Sequence, residues 1–192
     1  MDEKYHKPVL LAVLALIVFA STFILQKNYE FIIYIFVVLS FLWLICHSTK
    51  YLDYSELSIW GLVLWAILHM AGGGVHVKGD VLYNLILIPL VGEPFWILKF
   101  DQVVHLIGFF VATLVMYDVL KPHVKKMQGF ALGFTLFAAG LGLGALNEIV
   151  EFFATVILPS TNVGGYYNTA LDLVFNGIGA LAAVLYRFKF KK

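Results

Sequence analysis

The chain has 192 residues, of which 61% are hydrophobic and only 13% are charged, and its mean hydropathy is +0.90. Soluble domains average about a quarter charged residues, so this composition excludes an ordinary soluble protein and indicates a polytopic membrane protein. The net charge of +1 provides no basic surface that could neutralise phosphates, so nucleic acid is not an expected partner. The single cysteine, Cys46, cannot close an intrachain disulfide and indicates nothing about the redox compartment.

Six stretches are long enough to cross a hydrocarbon core, which takes about 20 residues. In chain order they cover about residues 8–26, 29–47, 57–75, 100–120, 129–158 and 167–188. The first resembles a secretory signal, because Lys4 and Lys7 precede an apolar run that contains small residues. We favour a retained helix, since the run continues through Leu25. The predicted fold class is therefore all-α, a six-helix transmembrane bundle forming a single integral membrane domain over residues 1–192.

The orientation prediction rests on basic residues, which are retained in cytoplasmic loops. With the N-terminus inside, most of them are cytoplasmic: Lys4, Lys7, Lys50, Lys121, Lys125, Lys126, Arg187, Lys189, Lys191 and Lys192. Only Lys27, Lys78 and Lys99 are then external. We expect both termini in the cytoplasm.

One external segment, residues 76–99, is too apolar for an ordinary loop. Pro89 and Pro94 interrupt it, and Phe95 and Trp96 suit the aromatic belt at a membrane surface. We expect this segment to be interfacial or re-entrant, lying on or dipping into the outer leaflet without crossing it.

Polar residues recur in four of the predicted helices, near the end that faces outside. They are His69, Asp101, His105, Asn147, Glu148, Glu151, Asn168, Asp172 and Asn176. Residues three and four apart share a helix face, so the polar groups of each helix point in one direction. Gly140, Gly144 and Ala180 lie on the same stripes and permit close helix packing. We expect the acidic faces to meet in one layer of the outer half of the bilayer.

Four acids in that layer need compensation, because each costs roughly 2.5 to 3.5 kcal/mol at mid-helix. No Lys or Arg is predicted at their depth, which leaves protonation, a water-filled cavity or a bound cation. Carboxylates and imidazoles together suit Zn, Mn or Fe. We therefore predict a divalent-metal site with Asp101, His105, Glu148 and Asp172 as ligands. Glu151 is the candidate general acid or base, and His69, Asn147, Asn168 and Asn176 are supporting residues.

A purely structural interpretation stays open for each polar residue. Asp101 and Asp172 lie near helix starts, where a carboxylate caps free N–H groups and complements the helix dipole. Asp118 and Glu30 are interpreted as helix-boundary residues, and His76 as an ordinary loop residue.

Three motifs, "FDQVVHLIGFF", "NEIVEFF" and "YNTALDLVFNGIGAL", resemble the YjdF-like family of bacterial and archaeal membrane proteins, a domain of unknown function. They are more distantly similar to VanZ-like proteins associated with glycopeptide resistance. The resemblance covers about residues 57–185 and maps the family's polar positions onto Asp101, His105, Glu148, Glu151, Asp172, Asn176 and Gly177. It implies a prokaryotic cytoplasmic (inner) membrane, and it implies no particular reaction.

Three functions follow from these residues as hypotheses. The first is a metal-dependent hydrolase or transferase that acts on a membrane lipid or lipid-linked amphiphile. The second is an ion- or proton-coupled transporter whose acids bind cations or relay protons. The third is a binding protein of the cell envelope without catalysis. The sequence leaves the enzyme question, the substrate and the oligomeric state open.

Overall fold

The computed structural model describes residues 2–125 and 129–190, and six long helices make up most of them. They are α1 (His6–Gln26), α2 (Tyr29–Ser48), α3 (Glu56–Gly74), α4 (Phe100–Leu120), α5 (Phe130–Ile157) and α6 (Tyr166–Leu185). All six are long and apolar enough to span a membrane, which confirms the predicted fold class. The helix ends lie close to those predicted, and α6 differs most because it gives way to a π-helical turn at Tyr186–Phe190.

Local sequence signals fix several helix starts. Asn28 precedes α2, and its Oδ1 accepts a hydrogen bond from the N–H of Phe31 at 3.2 Å. Ser55 precedes α3 in the same way, with Oγ accepting from the N–H of Ser58 at 3.2 Å. Such capping satisfies N–H groups that have no partner inside the helix. Lys27 joins α1 to α2 with a left-handed φ of 56°.

Contacts between loops and helix ends define two ends of the bundle. At one end, side chains of Gln26 and Asn28 donate to the carbonyls of Gly74 and Gly73, so α1 ends beside the end of α3. We call this the hairpin end, because the strands described below lie there. At the opposite end, Tyr5 before α1 accepts from the N–H of Tyr54 before α3 at 2.9 Å.

The segment between α3 and α4 contains four short strands in place of an irregular loop. β1 (His76–Val77) pairs antiparallel with β2 (Asp80–Val81), and β3 (Ile86–Val91) pairs antiparallel with β4 (Ile97–Lys99). A 3-10 turn at Leu82–Asn84 joins the two hairpins. Proline and turn residues in the sequence indicated an interruption, but they did not predict strands.

Helix α4 is central, since it packs against α3, α5 and α6. Small residues allow the closest approaches. A Cβ at Gly179 of α6 would lie 2.2 Å from the carbonyl oxygen of Leu106 in α4, and one at Gly144 of α5 would lie 2.8 Å from Asn176 Nδ2 in α6. Only glycine fits such contacts without displacing a neighbour. The polar faces of α4, α5 and α6 are thereby brought against one another.

Lysines of the described chain follow the expected asymmetry between the two ends. Lys27, Lys78 and Lys99 belong to the hairpin end by their places in the helix order. The start of α1 and the ends of α2, α4 and α6 carry the remaining described lysines and arginine. Lys126, Lys191 and Lys192, which also entered the orientation prediction, lie outside the described residues.

Candidate polar site within the helix bundle

The first turns of α4 supply two of the predicted ligands. Asp101 and His105 are one turn apart on one face, and their side chains are 17% and 8% exposed. His105 Nε2 lies 3.5 Å from Asp101 Oδ1. Gln102, between them and fully buried, fixes the entry of the chain, because its Oε1 accepts from the N–H groups of Leu98 at 2.7 Å and Lys99 at 3.1 Å.

The His105 ring lies between the carboxylates of Asp101 on α4 and Glu148 on α5. Its Nδ1 is 2.9 Å from Asn176 Oδ1 on α6 and 3.7 Å from Glu148 Oε1 on α5. Because an amide oxygen can only accept, the contact with Asn176 places a proton on Nδ1. A neutral imidazole then has its lone pair on Nε2, the nitrogen that faces Asp101. In the neutral ring, the contact with Asn176 would therefore leave Nε2 as the nitrogen available as a ligand.

Asn168 connects α6 to α4 at the mouth of the cluster. Its Nδ2 donates to Asp172 Oδ2 at 2.6 Å and to Asp101 Oδ2 at 3.1 Å, while its Oδ1 accepts from Lys99 Nζ at 2.5 Å. Lys99 thus reaches the edge of the cluster through an amide. Within the described chain, no Lys or Arg lies within ion-pairing distance of Asp101, Glu148, Glu151 or Asp172.

Several buried polar atoms of the cluster have no hydrogen-bond partner among residues 2–125 and 129–190. They are both carboxylate oxygens of Glu148, Oδ1 of Asp172 and Nδ2 of Asn176. Glu148 is 8% exposed, and Asp172 and Asn176 are fully buried. An unsatisfied polar group in an apolar environment is costly, and an unpaired charge costs far more. The described residues therefore leave the cluster incompletely satisfied.

The predicted ligands fall into two overlapping groups. Asp101, His105 and Asp172 form one, and His105, Glu148 and Glu151 form the other. Within each group, one potential ligand atom from each residue lies within 4.8 Å of the other two. The sequence predicted one set containing both Glu148 and Asp172, whereas the structure places these two acids in different groups around His105.

Glu151 and Asn147 lie one turn apart on α5, where Asn147 Nδ2 donates to Glu151 Oε1 at 2.8 Å. Glu151 also lines a cavity at the hairpin end of the bundle. The cavity's other lining residues are Glu30, Phe31, Tyr34, His69, Tyr83, Asp101, Asn162, Val163 and Asn168. Glu151 is thus shared by the buried cluster and the cavity, which gives a small polar molecule in the cavity access to a carboxylate.

His69 lies in the cavity wall and belongs to neither ligand group. Its ring stacks on Trp65 with centroids 5.3 Å apart, and its Nδ1 forms a hydrogen bond with the hydroxyl of Tyr83. Burial raises the pKa of Tyr83 well above its usual range, so this hydroxyl stays protonated. His69 is held by aromatic packing in this arrangement.

Two cavity residues escaped the sequence interpretation. Glu30 was interpreted as a helix-boundary residue, but it is only 5% exposed and accepts from the N–H of Asn162 at 2.8 Å and from Asn162 Nδ2 at 3.2 Å. It therefore ties the loop before α6 to α2. Tyr83 was not singled out, and a Cβ on Gly72 would lie 2.5 Å from its ring. The run of three glycines that ends α3 was the available signal.

Asp118, the other acid interpreted as a boundary residue, is buried at the opposite end with 3% exposure. Its Oδ2 accepts from Ser58 Oγ at 2.6 Å and from the N–H of Ser55 at 2.9 Å, and its Oδ1 lies 3.7 Å from Arg187 Nη2. The guanidinium of Arg187 lies 4.0 Å from the ring centroid of Tyr117. Asp118 thus joins α3, α4 and the end of α6.

Comparison with known proteins adds one match. The family model described as "Predicted membrane protein (DUF2238)" matches residues 7–192. No curated protein and no solved structure matches the chain.

Proposed function

The chain belongs to the DUF2238 family of membrane proteins, and we propose that its buried polar cluster binds a divalent metal ion and acts on a lipid or lipid-linked amphiphile. The observation that carries the proposal is the set of unsatisfied carboxylate oxygens on Glu148 and Asp172, next to an imidazole and without a described basic partner. A cation satisfies such oxygens directly.

The group formed by Asp101, His105 and Asp172 is the better candidate for the ion. The nitrogen of His105 that faces Asp101 is Nε2, 3.5 Å from Oδ1, and in a neutral ring that donates from Nδ1 to Asn176 this nitrogen would carry the lone pair. Two carboxylates and one imidazole suit Zn, Mn or Fe, and an ion held by these three residues would have room to take up water or substrate. Glu148 lies on the other side of the His105 ring, with Oε1 3.7 Å from Nδ1, and its substitution tests whether it would also be a ligand.

Glu151 is the candidate general base. It belongs to the group around His105 and lines the cavity, so a water molecule there has a carboxylate within reach. A bound divalent ion would lower the pKa of a coordinated water toward neutrality. In hydrolysis, Glu151 would accept the proton of the attacking water and return a proton to the leaving group.

A lipid-type substrate fits the place of the cavity. The cavity lies at the hairpin end, between the starts of α2, α4 and α6, where a headgroup could enter. Lysines favour this end as the exterior and the termini as cytoplasmic. The membrane would be the cytoplasmic (inner) membrane, as the family resemblance implies. The substrate would then approach from the outer leaflet.

The transporter alternative needs a polar path across the membrane. Between His105 and Asp118, residues of α4 are apolar apart from Thr113 and Tyr117, and Thr113 Oγ1 donates to its own helix at Phe109 O. The facing part of α6 between Asn176 and Tyr186 is glycine, alanine and aliphatic residues. We therefore favour a site open to one side over a carrier.

Elemental analysis of protein purified without added metal tests the proposal. We expect close to one divalent ion per chain, lost in His105→Ala and Asp172→Asn. Glu148→Gln shows whether Glu148 is a ligand, because a ligand's removal lowers the metal content too. His76→Ala, which changes an exposed histidine, is the matched control and should retain the ion. Metal-free parent protein that also fails to take up Zn, Mn or Fe would refute the proposal.

A further inference from the structure

The hairpin formed by β3 and β4 exposes apolar side chains on both of its faces. All six residues of β3 are exposed. The large apolar residues of this hairpin and its turn are 37–64% exposed, namely Ile86, Leu87, Ile88, Leu90, Val91, Phe95 and Trp96. Successive side chains of a strand point to opposite faces, so neither face is a polar, water-facing surface.

Such a hairpin is unfavourable in water. Two strands alone bury too little apolar surface to be stable, and an open apolar edge pairs readily with other chains. No described element covers β3. An apolar environment outside the chain is therefore required.

The hairpin is nevertheless held firmly against the bundle. Gln102 binds the backbone at three points, accepting from Leu98 and Lys99 and donating to the carbonyl of Trp96 at 3.4 Å. Trp96 and Leu98 have positive φ values of 49° and 77°, which are costly for residues other than glycine and are maintained by such contacts. The N–H of Phe100 donates to the carbonyl of Leu85 at 2.9 Å.

These contacts set the position of the hairpin relative to the membrane. β4 ends at Lys99, and the transmembrane helix α4 begins at the next residue. The ring of Phe95 also contacts that of Tyr167, in the first turn of α6, with centroids 5.3 Å apart. The hairpin therefore lies where two spans begin, at the level of the membrane surface.

We propose that the β3–β4 hairpin inserts into the interfacial layer of the lipid leaflet at the hairpin end. Phe95, Trp96, Tyr166 and Tyr167 provide the aromatic residues that such a layer favours. Deeper insertion is opposed by the unpaired backbone groups of the strand edges, which hydrocarbon does not satisfy. It is opposed also by Glu93, which is exposed in the turn.

This placement gives the polar cluster a lateral entrance. His105 lies five residues into α4, or about 7 Å below the start of the helix at 1.5 Å per residue. β4 reaches the mouth of the cluster directly, since Lys99 Nζ donates to Asn168 Oδ1 at 2.5 Å, so a headgroup beside Lys99 would meet Asn168 first. The lipid contact itself requires no metal, so it can fail or hold independently of the proposed function.

Site-directed spin labelling tests the proposal. In a Cys46→Ser background, single cysteines are introduced by Ile88→Cys and Leu90→Cys, labelled with a nitroxide, and the protein is reconstituted into phosphatidylcholine–phosphatidylglycerol vesicles. We expect collisions with oxygen, which partitions into lipid, to exceed collisions with a water-soluble nickel chelate at both sites. Lys78→Cys, in the exposed turn of the β1–β2 hairpin, is the aqueous control, and Val18→Cys, exposed on α1, is the lipid control.

Each alternative outcome overturns the proposal. Nickel accessibility at positions 88 and 90 equal to that at position 78 places the hairpin in water. Low accessibility to both reagents, with spin–spin broadening, shows that a second copy of the chain covers it. If a label impairs folding, quenching of Trp96 by brominated lipid, taken as the difference between the parent and Trp96→Phe, decides the same question. If brominated lipid does not quench the Trp96 fluorescence, insertion is contradicted even where the metal content is normal.

Discussion

The two ends of the bundle bury acids in opposite ways. At the opposite end, Asp118 receives two hydrogen bonds, and Arg187 lies beside its second oxygen. At the hairpin end, Glu148 has no hydrogen bond to either oxygen within the described chain, and Asp172 has one unsatisfied oxygen. Both ends lie within helices long enough to span a membrane.

The difference separates structural from functional burial. An acid whose oxygens all have partners, such as Asp118, stabilises the surrounding structure, because its removal leaves those partners unpaired. Glu148, by contrast, has no hydrogen bond to either oxygen among the described residues and only the His105 imidazole at 3.7 Å, which is the arrangement expected of an acid that serves a ligand, a proton or a reaction. Replacing Asp118 should therefore lower the stability of the protein, whereas replacing Glu148 should raise it.

The largest effect is expected for Asp118→Ala. The change leaves Arg187 without its partner and removes the acceptor for Ser55 and Ser58, so we expect a loss of about 3–5 kcal/mol, the range for breaking a buried ion pair. Reversible unfolding in mixed detergent measures it. Asp118→Asn should lose less, since the amide oxygen still accepts. An unchanged stability would remove the distinction between the ends.

A smaller loss is expected for Gly73→Ala, which tests the wall of the cavity. A Cβ there would lie 2.1 Å from the ring of Phe31, so the aromatic packing must shift, at a cost of about 1–3 kcal/mol. Gly142→Ala is the control, because open space surrounds that helical position. It should gain roughly 0.5–1 kcal/mol from helix propensity. Equal effects at the two glycines would contradict the packing described here.

In metal-free protein, Glu148→Gln is expected to raise the free energy of unfolding instead of lowering it. Glu148 has no Lys or Arg partner among the described residues, and beside a neutral His105 imidazole the replacement of its carboxylate by an amide is expected to raise the stability by about 1 kcal/mol. The same unfolding assay measures it, with Asp118→Asn as the matched loss of one charge at the other end. A destabilisation of Glu148→Gln as large as that of Asp118→Asn would show that Glu148 is a structural acid.

The smallest effect is expected for Asp53→Asn. Lys4 bonds to Asp53 on the exposed surface, and exposed pairs contribute less than about 1 kcal/mol. The Lys4 hydrogen bond lowers the pKa of Asp53, so its contribution is present above the pKa of the unfolded chain and disappears as the pH falls through the lower folded value. We expect Asp53→Asn to lower the stability by less than about 1 kcal/mol near neutral pH, and the difference from the parent protein to disappear as the pH falls through the folded pKa of Asp53.

Most of the fold was accessible from the sequence. The length and apolarity of six segments predicted the helices, because a membrane leaves few alternatives for a buried backbone. Strands at 76–99 were missed, since "VLYNLILIPLVGEPFWILKF" is apolar without a clear period. The resemblance to a family of membrane proteins is supported by the match over residues 7–192, while the VanZ-like resemblance stays a prediction.

The candidate site was accessible only in part. Spacing placed Asp101 with His105 and Glu148 with Glu151 on helix faces, because that information is local. The roles of Glu30 and Tyr83 depend on contacts with distant segments, which local spacing does not encode. Metal binding and catalysis stay predictions.

The sequence by itself determined that this chain is a membrane protein with six spans and too many intramembrane acids for its basic residues. Tertiary structure decided which acids are satisfied, since hydrogen bonds join residues far apart in the chain, such as Ser58 with Asp118 and Asn162 with Glu30. It also divided the predicted ligands into two groups, because one imidazole presents its two nitrogens in opposite directions.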